Sequence, residues 1–533
     1  MIRESLTAAI GSALDAMGLE PRPDVHLERP ARREHGDWST NVALASKGIH
    51  GRNPREFAAD LVAQLESQNV AHVDSLEIAG PGFVNFRLAD TWLFDVLVDV
   101  IDAGDTYGKP DIGAGRKVLV EFVSSNPTGP LHAGHARGAI YGDALSRLFE
   151  ATGHDVTREF YINDRGVQMQ NFAASLSAMR AGESVPADGY AGPYVAKWAA
   201  EMPADADPFE WGYERCLGYI DETLRRLGVT FDSWFSERSM VGGGSIEEAL
   251  TDLRERGVVV EAEGALWLRS TDFGDDKDRV LVKSDGEFTY ITPDIAYHRN
   301  KYARGFSLLI NVFGADHHGY VTRLRAAVEA LGHDPDELEV RITQMVRLER
   351  DGEEVKIGKR SGVFIELADL IDEVGADATR FTYLLQGIDS QQTVDLAAMA
   401  ARSMENPVYY VQMAHARACS ILRKESAEGF RRPALADADL TLLSDARELD
   451  VLRAISEMND VMILAVRDRA PHKVITWLRE LAAAFHGFFH DCYVFGNDTS
   501  PEVTTARLWL VEASRSTLAS GLGIVGVSAP EEL

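Results

Sequence analysis

A strand that hands over to a helix through a turn of Pro, Gly and His leaves few folds open to a chain, and residues 117–148 have that form. Lys117-Val118-Leu119-Val120-Glu121-Phe122-Val123 is apolar and β-branched, and Ser124-Ser125-Asn126-Pro127-Thr128-Gly129-Pro130 closes it. Such a run bounded by turn residues predicts a strand. After Leu131-His132-Ala133-Gly134-His135, small and apolar residues at Ala136, Ala139, Ile140, Ala144, Leu145 and Leu148 follow helical spacing. In an α/β sheet this junction sets backbone N–H groups and the positive end of a helix dipole at the carboxyl edge of the strands, where phosphates bind. His132 and His135 add imidazole donors beside those amides, and Gly134 lets a flat ring approach the backbone. The stretch predicts a nucleotide site. On these residues alone two other readings stay open: a zinc pair, for which the ligand set is incomplete, and histidines that only cap and pack a helix start.

Charge decides which partners the chain can take. Its 533 residues include 54 Lys and Arg against 83 Asp and Glu, a formal net charge of −29. A field of that sign repels a polyanion and, taken alone, argues against nucleic acid. The distribution changes the argument: there is roughly one Lys for every four Arg, and the acids are spread over the whole length. That surface is expected of a salt-adapted protein, because in molar salt the Debye length falls to about 3 Å and only close contacts count. RNA is therefore not excluded. At this length roughly three or four domains are expected. No run of about eighteen apolar residues occurs, and Met1-Ile2-Arg3-Glu4-Ser5 opens no signal peptide, so a cytoplasmic protein without a membrane partner is expected. Cys216, Cys419 and Cys492 stand far apart with no CxxC pair, which supports neither disulfides nor structural zinc.

Residues 1–105 have the pattern of an α+β domain, with a first amphipathic helix carrying Leu6, Ile10, Leu14 and Met17, helices through Leu65, and a strand within 78–88. On that strand Asn85, Phe86 and Arg87 are candidates for stacking on and hydrogen-bonding RNA bases. A half-buried strand with one polar face is the alternative. A Gly/Pro linker at 106–116 leads into a body that runs to residue 375. Besides the junction, the body has a second strand at 158–164, an interruption from about 185 to 285 with helices and a hairpin at 264–269, and a sheet that resumes at 289–298 and 308–313. The last of these ends in Gly314-Ala315-Asp316-His317-His318-Gly319, and polar clusters directly after apolar runs are where a doubly wound sheet holds ligands. No further ligand follows at metal spacing, so no metal site is assigned. Lys356-Ile357-Gly358-Lys359-Arg360 puts two lysines on a Gly-containing loop of a Lys-poor chain, which suits a mobile clamp on phosphates; a solvated basic turn is the alternative. From 376 to 533 the pattern is helical, and a bundle is expected.

Six separated segments carry a resemblance. They are His35-Gly36-Asp37-Trp38-Ser39-Thr40-Asn41, Ala79-Gly80-Pro81-Gly82-Phe83-Val84-Asn85-Phe86, the stretch 121–135 ending in His132-Ala133-Gly134-His135, Tyr290-Ile291-Thr292-Pro293-Asp294-Ile295-Ala296-Tyr297-His298, Gly314-Ala315-Asp316-His317-His318, and Asn406-Pro407-Val408-Tyr409-Tyr410-Val411-Gln412. Together with the Lys356–Lys359 loop they resemble the arginyl-tRNA synthetases, within the class I aminoacyl-tRNA synthetases, over essentially the whole chain. The resemblance implies an α/β fold: a Rossmann-like doubly wound parallel catalytic sheet over 106–375 with an inserted α/β subdomain at about 185–285, an N-terminal α+β tRNA-binding domain over 1–105, and a C-terminal all-α anticodon-binding bundle over 376–533.

The implied activity is arginine activation by ATP with Mg²⁺, then transfer to the 2′-hydroxyl of the terminal adenosine of tRNA(Arg), by a cytoplasmic monomer. His132, His135 and Lys359 are implied as catalytic, and His132, Gly134, His135, Lys356 and Lys359 as binding ATP. Glu121, Asn126, Tyr290, Asp294 and His317 match arginine-pocket positions, with Asp294 as first choice for the carboxylate that pairs with the guanidinium. Asn85, Phe86, Tyr409 and Gln412 are assigned to tRNA. One departure is visible: the family-class loop is Lys-Met-Ser-Lys-Ser, and here Ile357 and Gly358 replace Met and Ser while Arg360 holds the last position. It keeps open a non-catalytic tRNA-binding paralogue, against which intact His132, His135 and Asp294 speak. A smaller nucleotidyltransferase using the same His pair is disfavoured by the size of the flanking domains.

Overall fold

The computed structural model describes residues 2–30, 32–350, 352–355, 365–496 and 499–533, without the side chains of residues 33 and 316–318. Lys356, Lys359 and the Ile357, Gly358 and Arg360 departures lie outside the described residues, as does the side chain of His317. The chain divides into two units: Met1–Tyr107 with Ser420–Ser456 and Ala484–Thr517, and Gly108–Cys419 with Glu457–Ala483 and Leu518–Leu533. Among the described residues no helix is long and apolar enough to cross a membrane. All three cysteines are buried and free.

In the first unit, strands β1 (Leu27–Glu28), β2 (Trp38–Thr40), β3 (Val73–Ala79) and β4 (Phe83–Leu88) form an antiparallel sheet in the order β1-β2-β4-β3. The apolar stripe of the first helix, Ile2–Ala16, is buried at Leu6, Ile10 and Leu14, and Pro54–Gln68 buries Phe57, Leu61 and Leu65. Asn53 caps that second helix by accepting from Arg55 N–H at 2.9 Å, with Pro54 at its first position, where a missing N–H costs nothing. β4 lies between β2 and β3, so its backbone is paired on both sides. Val84 and Phe86 are fully buried and Asn85 nearly so.

The second unit is organised by a five-stranded parallel sheet. Its members are β5 (Lys117–Glu121), β6 (Asp155–Ile162), β7 (Ser233–Ser236), β11 (Leu308–Gly314) and β12 (Leu338–Thr343), in the order β12-β11-β5-β6-β7. The order reverses between β5 and β11, the position at which a doubly wound sheet opens a crevice at its carboxyl edge. Val118, Leu119 and Val120 are all fully buried, as expected of a strand covered on both faces. The helix Ala133–Glu150 packs Ala136, Ala139, Ile140, Ala144, Leu145 and Leu148 inward. Gly142 allows its close approach, since a Cβ there would lie 2.2 Å from the Phe122 ring.

Three expectations meet a different structure. Residues 289–298, expected to resume the sheet, turn instead into the helix Ile291–Ala303. Pro293 sits in its first turn, where the orphaned N–H groups leave room for a residue without one. The interruption at 185–285 does contain an antiparallel sheet, β8 (Val259–Ala262), β9 (Ala265–Leu268) and β10 (Arg279–Val282), but it also supplies β7 to the parallel sheet. The region after 376 is mostly helical, yet β13 (Val346–Arg350) pairs with β14 (Glu353–Val355) on one side and with β15 (Gln392–Asp395) on the other.

Candidate functional site

At the end of β5 the chain leaves the sheet through two left-handed residues, Val123 with φ 66° and Ser124 with φ 40°. A β-branched residue rarely enters that region, and the strain is on the order of 1–3 kcal/mol per residue. Its result is the placement of Ser124: Oγ accepts from Tyr161 N–H at 3.1 Å and donates to Glu121 Oε1 at 3.1 Å. Ser125 Oγ is buried without a hydrogen-bond partner among the described residues. A hydroxyl so placed is costly unless a ligand meets it. Asn126 Nδ2 donates to Gln168 Oε1 at 2.6 Å.

The two histidines then close a reciprocal cap on the helix Ala133–Glu150. His132 Nδ1 accepts from Gly134 N–H and His135 Nδ1 accepts from His132 N–H, both at 3.1 Å. Each neutral ring consequently carries its proton on Nε2, which makes Nε2 a donor. The rings lie 3.8 Å apart, tilted by 35°. Gly134 is demanded by this arrangement, because a Cβ would stand 2.8 Å from the His132 ring. Capping and chemistry are therefore compatible here: the cap uses Nδ1, which makes each Nε2 a donor beside a helix N-terminus, where anions are favoured. The chain re-enters the described structure at Ile365, whose carbonyl accepts from Ala133 N–H at 3.0 Å. That brings Ile365 beside the start of the helix that the histidines cap.

Carboxylates gather on the same unit. Glu121, at the end of β5, is 5% exposed. It accepts from Lys301 Nζ at 2.6 Å through Oε2. Asp294, in the first turn of Ile291–Ala303, accepts from the Tyr320 hydroxyl through Oδ2. Its carboxyl is pushed up to about 7, first by burial and then by the negative charges of Glu121 and Glu237, while the Tyr320 hydrogen bond and Lys301 act the other way. Glu237, directly after β7, is also raised, by burial and by Asp164, with Arg165 opposing. Tyr161 stands among them, its phenol pushed up by burial and by Glu237, Asp294, Glu121 and Asp164. A cluster that crowds negative charge in low dielectric favours a cation, which relieves like-charge repulsion as it binds.

The structure gathers Glu121 and Asp294 into one electrostatic neighbourhood, and sets Asn126 on the loop leaving β5, against Gln168. Tyr290 is not gathered: its side chain stands in solvent at 95% exposure. On the RNA side, the expectation for Asn85 and Phe86 needs correction. Phe86 is 0% exposed and Asn85 accepts from Ser39 Oγ at 2.7 Å inside the sheet, so neither offers a face to a base; Arg87 is the exposed member of that strand. Gln412 is likewise buried, its Nε2 donating to Asp377 Oδ2 at 2.8 Å and to the Ser528 carbonyl at 3.0 Å, which makes it an internal tie. Tyr409 is half-buried, and the adjacent Tyr410 helps line a cavity of about 470 Å³ with Met404, Pro407, Arg479 and Glu480. Lys301, Glu237, Tyr161 and Tyr320 escaped sequence reasoning. Glu237 obeys the rule of polar residues after a strand, and recognising β7 would have found it.

Comparison with known proteins places these features in a family. Three family descriptions match: "Arginyl tRNA synthetase N terminal domain" over residues 2–88, "tRNA synthetases class I (R), catalytic domain" over 98–187 and 216–419, and "DALR anticodon binding domain" over 411–533. The chain is 42% identical to arginine–tRNA ligase 1 of Halalkalibacterium halodurans, covering 100% of this chain and 99% of that one. It is 43% identical to the arginine–tRNA ligase of a Listeria monocytogenes strain, covering 98% and 97%. In fold it is similar to the Thermus thermophilus arginyl-tRNA synthetase, with a TM-score of 0.76 at 23% identity over 100% of both chains.

Proposed function

This chain belongs to the class I arginyl-tRNA synthetases, and on that premise we propose that it activates L-arginine with ATP and transfers it to tRNA(Arg). In the first step the arginine carboxylate attacks the α-phosphorus, the bond to the β-phosphate oxygen breaks, and pyrophosphate leaves. In the second the 2′-hydroxyl of the terminal adenosine attacks the acyl carbon and AMP departs. One observation carries the reading: an anion site built from a helix N-terminus and two imidazole donors follows the same strand that ends in Glu121, one of a group of carboxylates crowded around Asp294.

His132 and His135 donate from Nε2 to the α-phosphate as charge builds in the transition state, with Gly134 keeping the rings against the backbone. Lys356 and Lys359 clamp the phosphates, Lys359 holding the departing pyrophosphate. Among the described residues no group of three or more His, Cys, Asp or Glu side chains could hold a metal ion, so Mg²⁺ would come with ATP and would supply charge neutralisation to its phosphates. Asp294 pairs with the guanidinium, which displaces or shares the Tyr320 hydroxyl; Glu121 and Glu237 supply further acceptors, and Asn126 and His317 contact the remainder of the amino acid. Tyr290 takes part by swinging its exposed ring over the bound side chain. Tyr409 and the cavity beside Tyr410 receive RNA. We propose a cytoplasmic monomer as the acting species.

The test is ATP–pyrophosphate exchange dependent on arginine, run with and without tRNA(Arg), followed by charging of that tRNA. Exchange and charging are expected. A folded protein that binds tRNA(Arg) and supports neither reaction would be the non-catalytic paralogue instead.

A further inference from the structure

Lys301 is 0% exposed, a full positive charge buried at the carboxyl edge of the parallel sheet. Removing an ammonium from water costs several kcal/mol even after relaxation, so its surroundings must compensate it. They do so completely. Nζ donates to Glu121 Oε2 at 2.6 Å and to Asn311 Oδ1 at 3.0 Å, and lies 4.1 Å from the centre of the Tyr297 ring. Glu121 and Asn311 are direct partners across β5 and β11, so the ammonium bridges the two strands where the sheet reverses its order.

The Asn311 amide orientation follows from this contact, because an ammonium only donates and must meet Oδ1. Asn311 Nδ2 then faces His298 Nε2 at 3.0 Å, which requires Nε2 to be the acceptor. His298 Nδ1 therefore carries the proton and donates to the Asp294 carbonyl at 2.8 Å. The result is one chain of hydrogen bonds, Glu121 to Lys301 to Asn311 to His298 to the Asp294 backbone. Of the three residues whose carboxylates are proposed for arginine, Glu121 is tied to it by its side chain and Asp294 by its backbone carbonyl. Ser124 Oγ holds the other Glu121 oxygen at 3.1 Å, so the carboxylate is fixed at both ends.

A buried ion pair of this kind can often be replaced by apolar residues without loss of stability, so stability gives no strong reason for it. The neighbourhood does: Glu121 and Glu237 both push the Asp294 carboxyl up and Lys301 opposes them, so the ammonium that fixes Glu121 by direct contact also favours the charged form of Asp294. Resting on the function proposed above, we propose that Lys301 is a positioning residue for arginine selection, holding Glu121 as an oriented carboxylate and acting on the substrate only through it.

The experiment is a double-mutant cycle in the full-length protein: wild type, Lys301→Met, Glu121→Gln and the two combined, with kcat and KM for arginine and for ATP measured by pyrophosphate exchange. Lys301→Met is expected to raise the arginine KM about tenfold or more while the ATP KM moves less than about twofold. Once Glu121 is Gln, removing Lys301 is expected to add less than about twofold, the non-additive signature of two groups that act as one. Should Lys301→Met fail to fold, Glu121→Gln against the combined variant, in which no buried charge is left alone, decides the matter by itself. A further rise of about fivefold in that comparison, or equal changes in both KM values, makes Lys301 a structural cation and overturns the inference. A wild type that supports neither arginine-dependent exchange in the presence of tRNA(Arg) nor charging overturns the proposed function and the inference with it, whereas an active wild type with additive variants overturns the inference alone.

Discussion

Strand β4 and the junction after β5 invite the same expectation from sequence, an apolar run with polar and aromatic residues poised for a ligand, and the structure treats them in opposite ways. On β4 those residues lie within the ladder, between two partner strands, and both Asn85 and Phe86 are consumed by the interior. After β5 they lie beyond the ladder, where Val123 and Ser124 turn the backbone out and the histidines meet a helix start. A side chain inside a doubly paired strand is claimed by its neighbours; one past the strand end is available for chemistry.

The largest effect expected from this contrast is on stability. Phe86→Ala should cost about 3–5 kcal/mol in denaturant unfolding, as for a large buried ring, with an unchanged arginine KM in the folded fraction. Loss of tRNA affinity at intact stability would return Phe86 to the RNA surface and break the comparison.

Next comes Asp294→Asn, which should weaken arginine binding by about 2–5 kcal/mol, as truncation of a buried charged pair does. Its stability should move the other way. A carboxyl raised from 3.8 to about 7 favours the folded state in its protonated form. That contribution is full below the unfolded value and is lost as pH rises through about 7. Asn, which cannot ionise, should therefore raise the melting temperature at pH 8 in the absence of arginine; a lower one would mean the carboxylate supports the fold.

A smaller effect is expected from pH alone. Only ionised Asp294 pairs with a guanidinium, so the arginine KM should rise toward about tenfold per pH unit below 7 and level off above it. The acid limb should vanish in Asp294→Asn, and its persistence there would assign the titration to Glu237, which is also raised. The mildest test is salt. Between ~0.1 and 3 M KCl, over which the Debye length falls from about 10 Å to below 3 Å, melting temperature should rise as the net charge of −29 is screened. Maximal stability at the low end would leave the acidic surface needing another cause.

Local pattern determined a good part of this protein. The β-branched runs at β5 and β11 are strands, the spacing from Ala136 to Leu148 is a helix with those residues inward, and the Pro, Gly and His between strand and helix mark the corner where the helix begins. These features are set by backbone sterics and by period, which neighbours in sequence carry. Where the local signal was short and ambiguous it misled: 289–298 begins with β-branched and aromatic residues that suit a strand, yet Ile291, Ile295 and Tyr302 bury one face of a helix.

What only the tertiary structure decided is electrostatic and depends on distance through space. Glu121 looked like a carboxylate waiting for a guanidinium, but Lys301, 180 residues away along the chain, already holds one of its oxygens. Asp294 looked like an ordinary acid until burial and the convergence of Glu121 and Glu237 pushed its carboxyl up to about 7. Phe86 and Gln412 looked like contacts until strands and a carboxyl-terminal segment closed over them. Charge state and exposure are properties of whatever surrounds a side chain, and the residues that surround these come from distant parts of the sequence, so no window of neighbouring letters contains them.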